Sequence, residues 1–182
     1  MPGPKIIALT GKMGAGKSEV ASYLLSRIPK SSLVKLAQPL YDIQDYAYGR
    51  IYKKPDGKDR KLLQYLGTEW GRSIDPNLWV DIWTTEVLHR LMFKSDTVIT
   101  DDARFDNEAA TAISRGGVVL RVEADDSVRG SRIQLNGNSH KSELGVNDCY
   151  IYATIYNNGT IEDLHKNIDY LLETLKVETN KR

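Results

Sequence analysis

The chain has 182 residues, a length that suits one domain with a substantial hydrophobic core. Its formal net charge is +1, so it lacks the overall basic character of many nucleic-acid-binding proteins. The single cysteine, Cys149, excludes an internal disulfide, and no apolar run approaches the ~20 residues of a membrane-spanning helix. We therefore expect a cytoplasmic protein that acts on small molecules and binds neither nucleic acid nor membrane.

Strands and helices alternate along the chain, which predicts an α/β fold with a mainly five-stranded parallel sheet and helices on both faces. The predicted strands are residues 5–9, 33–36, 97–100, 118–122 and 151–156. Helices are predicted over about 17–27, from Pro39 through Tyr46, over about 59–71, 77–93 and 105–115, and after the capping residue Thr160. The sequence thus predicts a single three-layer α/β domain.

Two segments interrupt this alternation. Residues from about 37 to 95 are too long for a simple crossover between two strands. They are predicted to form a helical insertion over the edge of the sheet at which open α/β folds bind ligands. Residues from about 125 to 145 are polar and contain glycine, which predicts a short helix and a mobile lid. The core of the domain then consists of residues 1–36, 96–124 and 146–182.

The first predicted strand leads into a glycine-rich phosphate loop. Residues 11–18, GKMGAGKS, match the pattern G-x-x-x-x-G-K-[ST] between a strand and a helix. Its glycines let successive backbone N–H groups point at a polyphosphate, and the next helix adds the positive end of its dipole. Lys17 is expected to reach the β- and γ-phosphates of ATP, and Ser18 to ligate Mg²⁺. The predicted nucleotide-binding residues of the loop are Gly11, Met13, Gly14, Ala15, Gly16, Lys17 and Ser18.

Charged residues elsewhere distinguish a kinase from other phosphate-loop proteins. Asp101 and Asp102 follow the third predicted strand without the D-x-x-G element of a GTPase. A carboxylate there can hold Mg²⁺ or accept a proton. Asp102 is our first choice for this role, with the adjacent Asp101 as the second candidate. The alternative is that the pair caps the N-terminus of the helix that begins at Phe105. Arg129 and Arg132 lie in the lid, where arginines can close over the triphosphate and exclude water.

The helical insertion contains candidates for an anionic acceptor. Arg60, Gln64 and Arg72 are four and eight residues apart, so on a regular helix they share a face. The planar guanidinium of arginine suits a phosphate dianion, and Gln64 can make a bidentate contact with a base edge. Trp70 is the tryptophan closest to this segment and a candidate for stacking on a base. The alternatives are a solvated helix face for the polar residues and a packing role for Trp70.

Four further stretches carry a family resemblance: residues 59–80 (DRKLLQYLGTEWGRSIDPNLWV), 98–122 (VITDDARFDNEAATAISRGGVVLRV), 139–143 (SHKSE) and 155–169 (IYNNGTIEDLHKNID). They resemble the acceptor segment, the D-x-R-F-x-N-E segment, the H-x-S-E element and the closing asparagine–glycine turn of phage-type deoxynucleoside monophosphate (dNMP) kinases of the P-loop nucleoside monophosphate kinase superfamily. The resemblance runs from residue 5 to about residue 170. Parts of the pattern also recur in dephospho-CoA kinases and phosphomevalonate kinases.

The resemblance implies transfer of the γ-phosphoryl group of ATP to a dNMP, with Mg²⁺, on a P-loop kinase fold that has a monophosphate-binding insertion and a lid. It aligns Asp102 and Arg104 with the D-x-R-F-x-N-E segment, and Arg104 is expected to grip the acceptor phosphate. His140 and Glu143 of the H-x-S-E element would lie near the substrate, and Asn158 and Gly159 would form the edge that recognises adenine.

Other functions stay open on the sequence alone. They are phosphorylation of a dephospho-CoA-like or phosphomevalonate-like acceptor and, less in keeping with the missing D-x-x-G element, a nucleotide-dependent regulatory switch. A phage-encoded enzyme would work in the host cytoplasm. The sequence does not specify the accepted bases, the sugar or the oligomeric state, so a homodimer is also open.

Overall fold

The computed structural model describes residues 3–50, 57–132 and 145–180. Five strands form one parallel sheet in the order β2-β3-β1-β4-β5. They are β1 (Ile6–Thr10), β2 (Ser31–Leu33), β3 (Thr97–Thr100), β4 (Val118–Glu123) and β5 (Ala153–Tyr156). The predicted five-stranded parallel sheet is therefore confirmed.

The described helices are α1 (Lys17–Arg27), α2 (Gln38–Tyr48), α3 (Arg60–Gln64), α4 (Gly71–Ile74), α5 (Leu78–Phe93), α6 (Asp106–Ser114), α7 (Asp126–Arg132) and α8 (Ile161–Thr174). A π-helix, Tyr65–Trp70, joins α3 to α4, and a short 3₁₀ helix, Asp148–Tyr150, precedes β5. Among these described helices, none has the length and apolar character needed to cross a bilayer.

Helices cover both faces of the sheet, and the strand residues alternate between two hydrophobic clusters. Ile7 and Leu9 of β1 pack with α1 and α8, whereas Ile6 and Ala8 pack on the opposite face with α5 and α6. All four β1 side chains are almost fully buried. The sequence of such a strand is continuously apolar because both of its faces are covered by helices. The observed layers are those of the predicted three-layer α/β fold.

The strand order determines which loops meet at the phosphate loop. Because β1 lies between β3 and β4, the segment after β1 has the ends of both strands as neighbours. The loop after β3 is held against β1, since the Ala103 N–H donates to the Leu9 carbonyl at 3.2 Å. Open α/β sheets bind ligands at such a point, outside the carboxyl ends of the strands.

Two predicted strands differ from the observed ones because particular hydrogen bonds limit them. We expected β2 over 33–36, but the N–H groups of Leu36 and Ala37 bind the Asp102 carboxylate instead of a neighbouring strand, so β2 ends at Leu33. We expected β5 from residue 151, but the Ile151 N–H donates to Asp148 in the 3₁₀ helix, so β5 begins at Ala153.

The predicted helical stretch over about 59–71 is confirmed, but it is not a regular α-helix. After α3 the chain forms the π-helix, whose i→i+5 hydrogen bonds make a wider turn than those of an α-helix. Arg72 is thereby out of the phase that a regular helix would give it relative to Arg60 and Gln64. Arg60 is exposed, whereas the Arg72 side chain is only 13% exposed and contacts α6. The predicted common face of these three residues does not form.

Candidate functional site

The phosphate loop adopts a conformation that its glycines make possible. Gly11, Gly14 and Gly16 have φ angles of 131°, 81° and 102°, in the region that side chains disfavour. Helix α1 begins at Lys17, directly after the loop, so its N-terminal N–H groups face the same space. The Lys17 ammonium donates to the carbonyls of Gly11 at 2.5 Å and Lys12 at 3.1 Å. Lys17 therefore lies along the loop that would hold the phosphates.

Asn157, at the end of β5, fixes this loop to the sheet. Its side-chain amide donates to the Ala15 carbonyl at 2.9 Å, and its own N–H donates to Glu123 at the end of β4. The residue is only 6% exposed. From the sequence we predicted the next two residues, Asn158 and Gly159, as part of the nucleotide site, but not Asn157. An asparagine directly after the last strand was the available signal, but nothing local connects it with a loop 142 positions earlier.

Replacing Gly16 with alanine tests this contact. An added Cβ would lie 2.2 Å from the Asn157 amide nitrogen, at a φ of +102°. Relieving the clash means distorting the loop, and backbone strain of about 1–3 kcal/mol corresponds to a loss of ATP affinity of roughly tenfold. Isothermal titration measures that affinity. The matched control is Gly116→Ala, where φ is +79° but nothing lies within 4 Å of the added Cβ. Equal ATP affinity in both variants would contradict the proposed contact.

Helix α7, which belongs to the predicted lid, brings two arginines to the phosphate loop. Arg129 Nε donates to the Met13 carbonyl at 2.9 Å. Arg132 donates to the carbonyls of Gly14 and Asn157, each at 3.4 Å. Both arginines thus contact the phosphate loop or its neighbour Asn157, while the lid and the catalytic role of the arginines stay predictions. His140 and Glu143, the predicted substrate-binding residues of the lid, lie outside the described residues.

The two carboxylates after β3 have different environments. Both oxygens of Asp102 accept backbone hydrogen bonds at 2.9 Å, from Leu36 and Ala37 at the start of α2, and burial raises the pKa of Asp102. The alternative role of Asp102 as an N-cap for the helix at Phe105 is wrong, because Phe105 itself is the N-cap of α6. The metal role that we assigned to Asp102 stays a prediction, although its two oxygens already hold the segment that enters α2.

Asp101 has a buried oxygen that could bind a further ligand. It is 6% exposed, and its Oδ2 faces the Lys35 ammonium at 3.4 Å. Within residues 3–50, 57–132 and 145–180, its buried Oδ1 has no hydrogen-bond partner. A buried oxygen without a partner is uncommon and fits an additional ligand such as Mg²⁺ or its bound water. Ser18, the other predicted Mg²⁺ ligand, lies exposed at the start of α1.

Arg72, predicted to bind the acceptor, is engaged within the protein. One terminal nitrogen of its guanidinium contacts the Glu108 carboxylate and the other donates to the Pro76 carbonyl at 2.9 Å, while the guanidinium carbon lies 3.8 Å from the Phe105 ring centre. Asn107 also donates to Pro76 at 2.9 Å. These contacts connect the helical insertion to the start of α6. Arg72 thus has structural partners, and its contact with an acceptor phosphate stays a prediction.

The other predicted acceptor residues lie apart from this cluster. Arg60 is exposed on α3 and Gln64 is half-buried. Trp70 is 41% exposed, and its ring centre is 6.3 Å from that of the buried Trp79. Arg104 is exposed, and its backbone N–H donates to Glu108 at 2.6 Å. Their contacts with an acceptor stay predictions.

Glu108 is a buried carboxylate. Helical spacing would allow an exposed ion pair with Arg104, four residues earlier, but Glu108 is 5% exposed and binds Arg72 instead. It also accepts the N–H groups of Arg104 and Phe105, at 2.6 and 3.0 Å. Burial raises the pKa of Glu108 to about 7, against the opposing effect of these donors. Glu108 therefore holds the D-x-R-F segment and the insertion together.

A cavity of about 650 Å³ borders the phosphate loop. This volume lies within the range of about 300–1,000 Å³ that is usual for small-molecule sites. Its wall combines residues at and just after the ends of β1, β4 and β5 with helix α7, among them Gly11, Lys12, Glu123, Arg129, Tyr156 and Asn158. The Asn158 side chain also accepts the Asp125 N–H at 2.8 Å, which ties the loop after β5 to the start of the predicted lid. The cavity is thus placed for a nucleotide whose phosphates enter the loop.

Comparison with known protein families and sequences gives two findings. Residues 7–153 match the family model described as "AAA domain". A protein of Acanthamoeba polyphaga mimivirus, named "Putative deoxynucleotide monophosphate kinase", is 31% identical over 187 residues, which cover 90% of this chain and 93% of the relative.

Solved structures share the fold. TT1252 from Thermus thermophilus superposes with a TM-score of 0.58 at 19% identity, over 95% of this chain and 98% of that one. Shikimate kinase from Bacteroides thetaiotaomicron superposes with a TM-score of 0.50 at 14% identity, over 94% of this chain and 98% of that one. At these identities the likeness shows the fold alone, which is the three-layer P-loop kinase fold.

Proposed function

The chain belongs to the AAA-domain family of P-loop proteins, and we propose that it transfers the γ-phosphoryl group of ATP to a deoxynucleoside 5′-monophosphate. An oxygen of the acceptor phosphate forms a bond to the γ-phosphorus, and the bond from that phosphorus to the β,γ-bridging oxygen breaks. The products are a deoxynucleoside diphosphate and ADP, as in the synthesis of dNTP precursors.

The observation that carries the proposal is the approach of Arg129 and Arg132 to the phosphate loop from helix α7. Phosphoryl transfer needs little covalent chemistry from the protein, so positive charge around the transferring group supplies most of the catalysis. Lys17 adds a third cation on the same loop. Cations at these positions can stabilise the negative charge that shifts from the γ-phosphate to the β-phosphate oxygen during transfer.

Bound Mg²⁺ would neutralise the triphosphate and polarise the γ-phosphoryl group. We assign the Ser18 hydroxyl and the buried Asp101 carboxylate to Mg²⁺ binding. Asp102 instead holds the segment that enters α2. The unpartnered Oδ1 of Asp101 supports this assignment.

Two observations support a nucleotide as the acceptor. The mimivirus relative carries the name of a deoxynucleotide monophosphate kinase and is matched over nearly its whole length. In addition, the Arg72–Glu108 contact joins the helical insertion to the D-x-R-F segment, so the insertion and this segment lie beside the end of β3. An acceptor bound by these two segments would reach the phosphate loop from the β3 side, opposite the cavity wall at β4 and β5.

The test is a panel of acceptors with ATP and Mg²⁺. It contains the four dNMPs, the four ribonucleoside monophosphates, dephospho-CoA and phosphomevalonate, and ADP formation is measured for each. We expect turnover with at least one dNMP. Turnover of dephospho-CoA or phosphomevalonate alone would show that the protein is a kinase but that its acceptor is not a dNMP. ATP hydrolysis that requires a protein partner and ignores every acceptor would favour a regulatory switch.

Arg104 is the residue that we expect to bind the acceptor phosphate. It is exposed directly after the acidic pair, and its backbone is held by Glu108. Arg104→Ala should raise the KM for the monophosphate by about tenfold or more and leave the KM for ATP nearly unchanged, since one charge-assisted hydrogen bond is lost. Steady-state kinetics with each substrate varied in turn measures the two constants. A selective rise in the KM for ATP would move Arg104 to the donor site.

A further inference from the structure

Lys35 lies beside the acidic pair, where neither the motifs nor the resemblance assign it a role. It follows β2, and its ammonium lies 3.4 Å from Oδ2 of Asp101. The Lys35 side chain is 30% exposed, whereas that of Asp101 is 6% exposed. The pair therefore joins a buried carboxylate to an ammonium that still reaches the space above the sheet edge.

The backbone around Lys35 is firmly held. The N–H of Val34 donates to Ile99 at 2.9 Å, and the Asp102 carboxylate binds the N–H groups of Leu36 and Ala37. Residues on both sides of Lys35 are thus fixed to the β3 end, and the β3 end is fixed to β1. The flexible part is the four-carbon side chain itself.

The ion pair is incomplete. Charge-assisted hydrogen bonds between an ammonium and a carboxylate are usually about 2.7–2.9 Å long, so the 3.4 Å separation indicates a loose contact. In the part of the chain that the structure describes, Asp101 Oδ1 has no hydrogen-bond partner. If Asp101 served only to stabilise the fold, its buried Oδ1 would lack a hydrogen bond, and this would lower the stability of the protein. One side of Asp101 is therefore open to a second cation.

We propose that Lys35 exchanges partners: it is the counter-ion of Asp101 in the metal-free enzyme and a ligand of the acceptor phosphate in the Mg²⁺-bound enzyme. This inference rests on the proposed function for the identity of the acceptor. Two cations on one carboxylate repel each other, so the ammonium moves away from Asp101 when Mg²⁺ or its bound water takes that carboxylate. The dianionic acceptor phosphate is the ligand that compensates the ammonium there.

The exchange makes binding of Mg²⁺ and acceptor mutually favourable. Mg²⁺ frees the ammonium for the phosphate, and the phosphate removes the competitor of Mg²⁺ at Asp101. Coupling between two ligands is reciprocal, so each should raise the affinity of the other by the same factor. A purely structural ion pair predicts no such coupling through Lys35.

The experiment compares Lys35→Met with Lys30→Met by isothermal titration, which needs no turnover. Lys30 is the matched control because it pairs with Asp96 at 3.8 Å near the opposite end of β2 and is 76% exposed. Mg²⁺ is titrated into the enzyme–ADP complex, and the dNMP that the panel selects, or inorganic phosphate, is titrated with and without Mg²⁺. Thermal unfolding verifies that each variant is folded, and Lys35→Arg keeps the charge if Lys35→Met does not fold.

In Lys35→Met we expect Mg²⁺ to bind about fivefold more tightly and the enhancement of phosphate binding by Mg²⁺ to disappear, a coupling of about five- to tenfold in the wild type. Lys30→Met should match the wild type in both measurements, and Lys35→Arg should keep the coupling. Unchanged or weaker Mg²⁺ binding in Lys35→Met, or coupling that persists in it, would overturn the proposal. If the panel shows no dNMP turnover, the proposed function fails, while titrations with Mg²⁺ and inorganic phosphate still decide the role of Lys35.

Discussion

Replacing Lys17 with alanine is expected to lower kcat by at least about 10²–10³-fold, the cost of removing one preorganised electrostatic group from a transition state. The Lys17 ammonium lies along the phosphate loop, with the carbonyls of Gly11 and Lys12 as acceptors in this ligand-free structure. In the ATP complex the same ammonium is expected to move to the β- and γ-phosphates. ADP formation in a coupled assay with the acceptor chosen from the panel measures the loss.

The fold should tolerate this change, because both carbonyl acceptors belong to the loop itself and α1 is anchored by Val20 and Leu24 in the core. Thermal unfolding should therefore show a melting temperature close to that of the wild type. Lys5→Ala is the matched control: it removes an exposed lysine charge just before β1, at the end of the strand away from the site. Loss of the fold in Lys17→Ala, or turnover equal to that of Lys5→Ala, would contradict the assigned role.

The parts of the fold that the sequence predicted well depend on local patterns. An apolar run followed by three spaced glycines and a helix defines β1, the phosphate loop and α1 within about twenty residues, and β3 was predicted with its observed limits. The cap at Thr160 was also predictable, because its side chain needs only the N–H of Asp163, three residues later. Each of these elements is determined by neighbours in the chain.

The parts that the sequence could not predict depend on distant partners. Glu108 has an arginine four residues earlier, Arg104, but it binds Arg72, which the π-helix rotates towards α6. Sequence gives no signal for a π-turn of this kind, since its i→i+5 bonds are selected by packing rather than by propensity.

The acidic pair shows the same limit at the site. Asp101 and Asp102 are adjacent and chemically identical, so no local rule separates them. They are separated by the segment after β2: Leu36 and Ala37 bind both oxygens of Asp102, while Lys35 faces one oxygen of Asp101. Only the pairing of β2 with β3 brings these residues together. For the same reason, Lys35 could not be recognised as part of the site before the fold was known.

Replacing Glu108 with alanine is expected to lower the free energy of unfolding by about 3–5 kcal/mol, because it leaves the buried Arg72 without its carboxylate. The two side chains are 5% and 13% exposed, and two backbone N–H groups also lose their acceptor. Urea denaturation at pH 8, where Glu108 is ionised, measures the change. Glu86→Ala is the matched control, since Glu86 is 44% exposed in an i,i+4 pair with Arg90 and should cost at most about 0.5 kcal/mol. Equal costs for the two variants would mean that the Arg72–Glu108 contact does not stabilise the fold.

The pH dependence of stability provides an independent test of the same carboxylate. Burial raises the pKa of Glu108 from its ordinary value of 4.5 to about 7, so between these values the folded chain binds a proton that the unfolded chain has lost. The free energy of unfolding should therefore fall as the pH rises from about 5 to about 7. Glu108→Gln carries no titrating group there and should remove this part of the slope. The raised pKa of Asp102 acts in the same direction and persists in the variant, which makes the difference between the two curves the measure of Glu108. Parallel curves for wild type and Glu108→Gln would show that Glu108 is ionised throughout the range, and that Arg72 and the two backbone donors outweigh its burial.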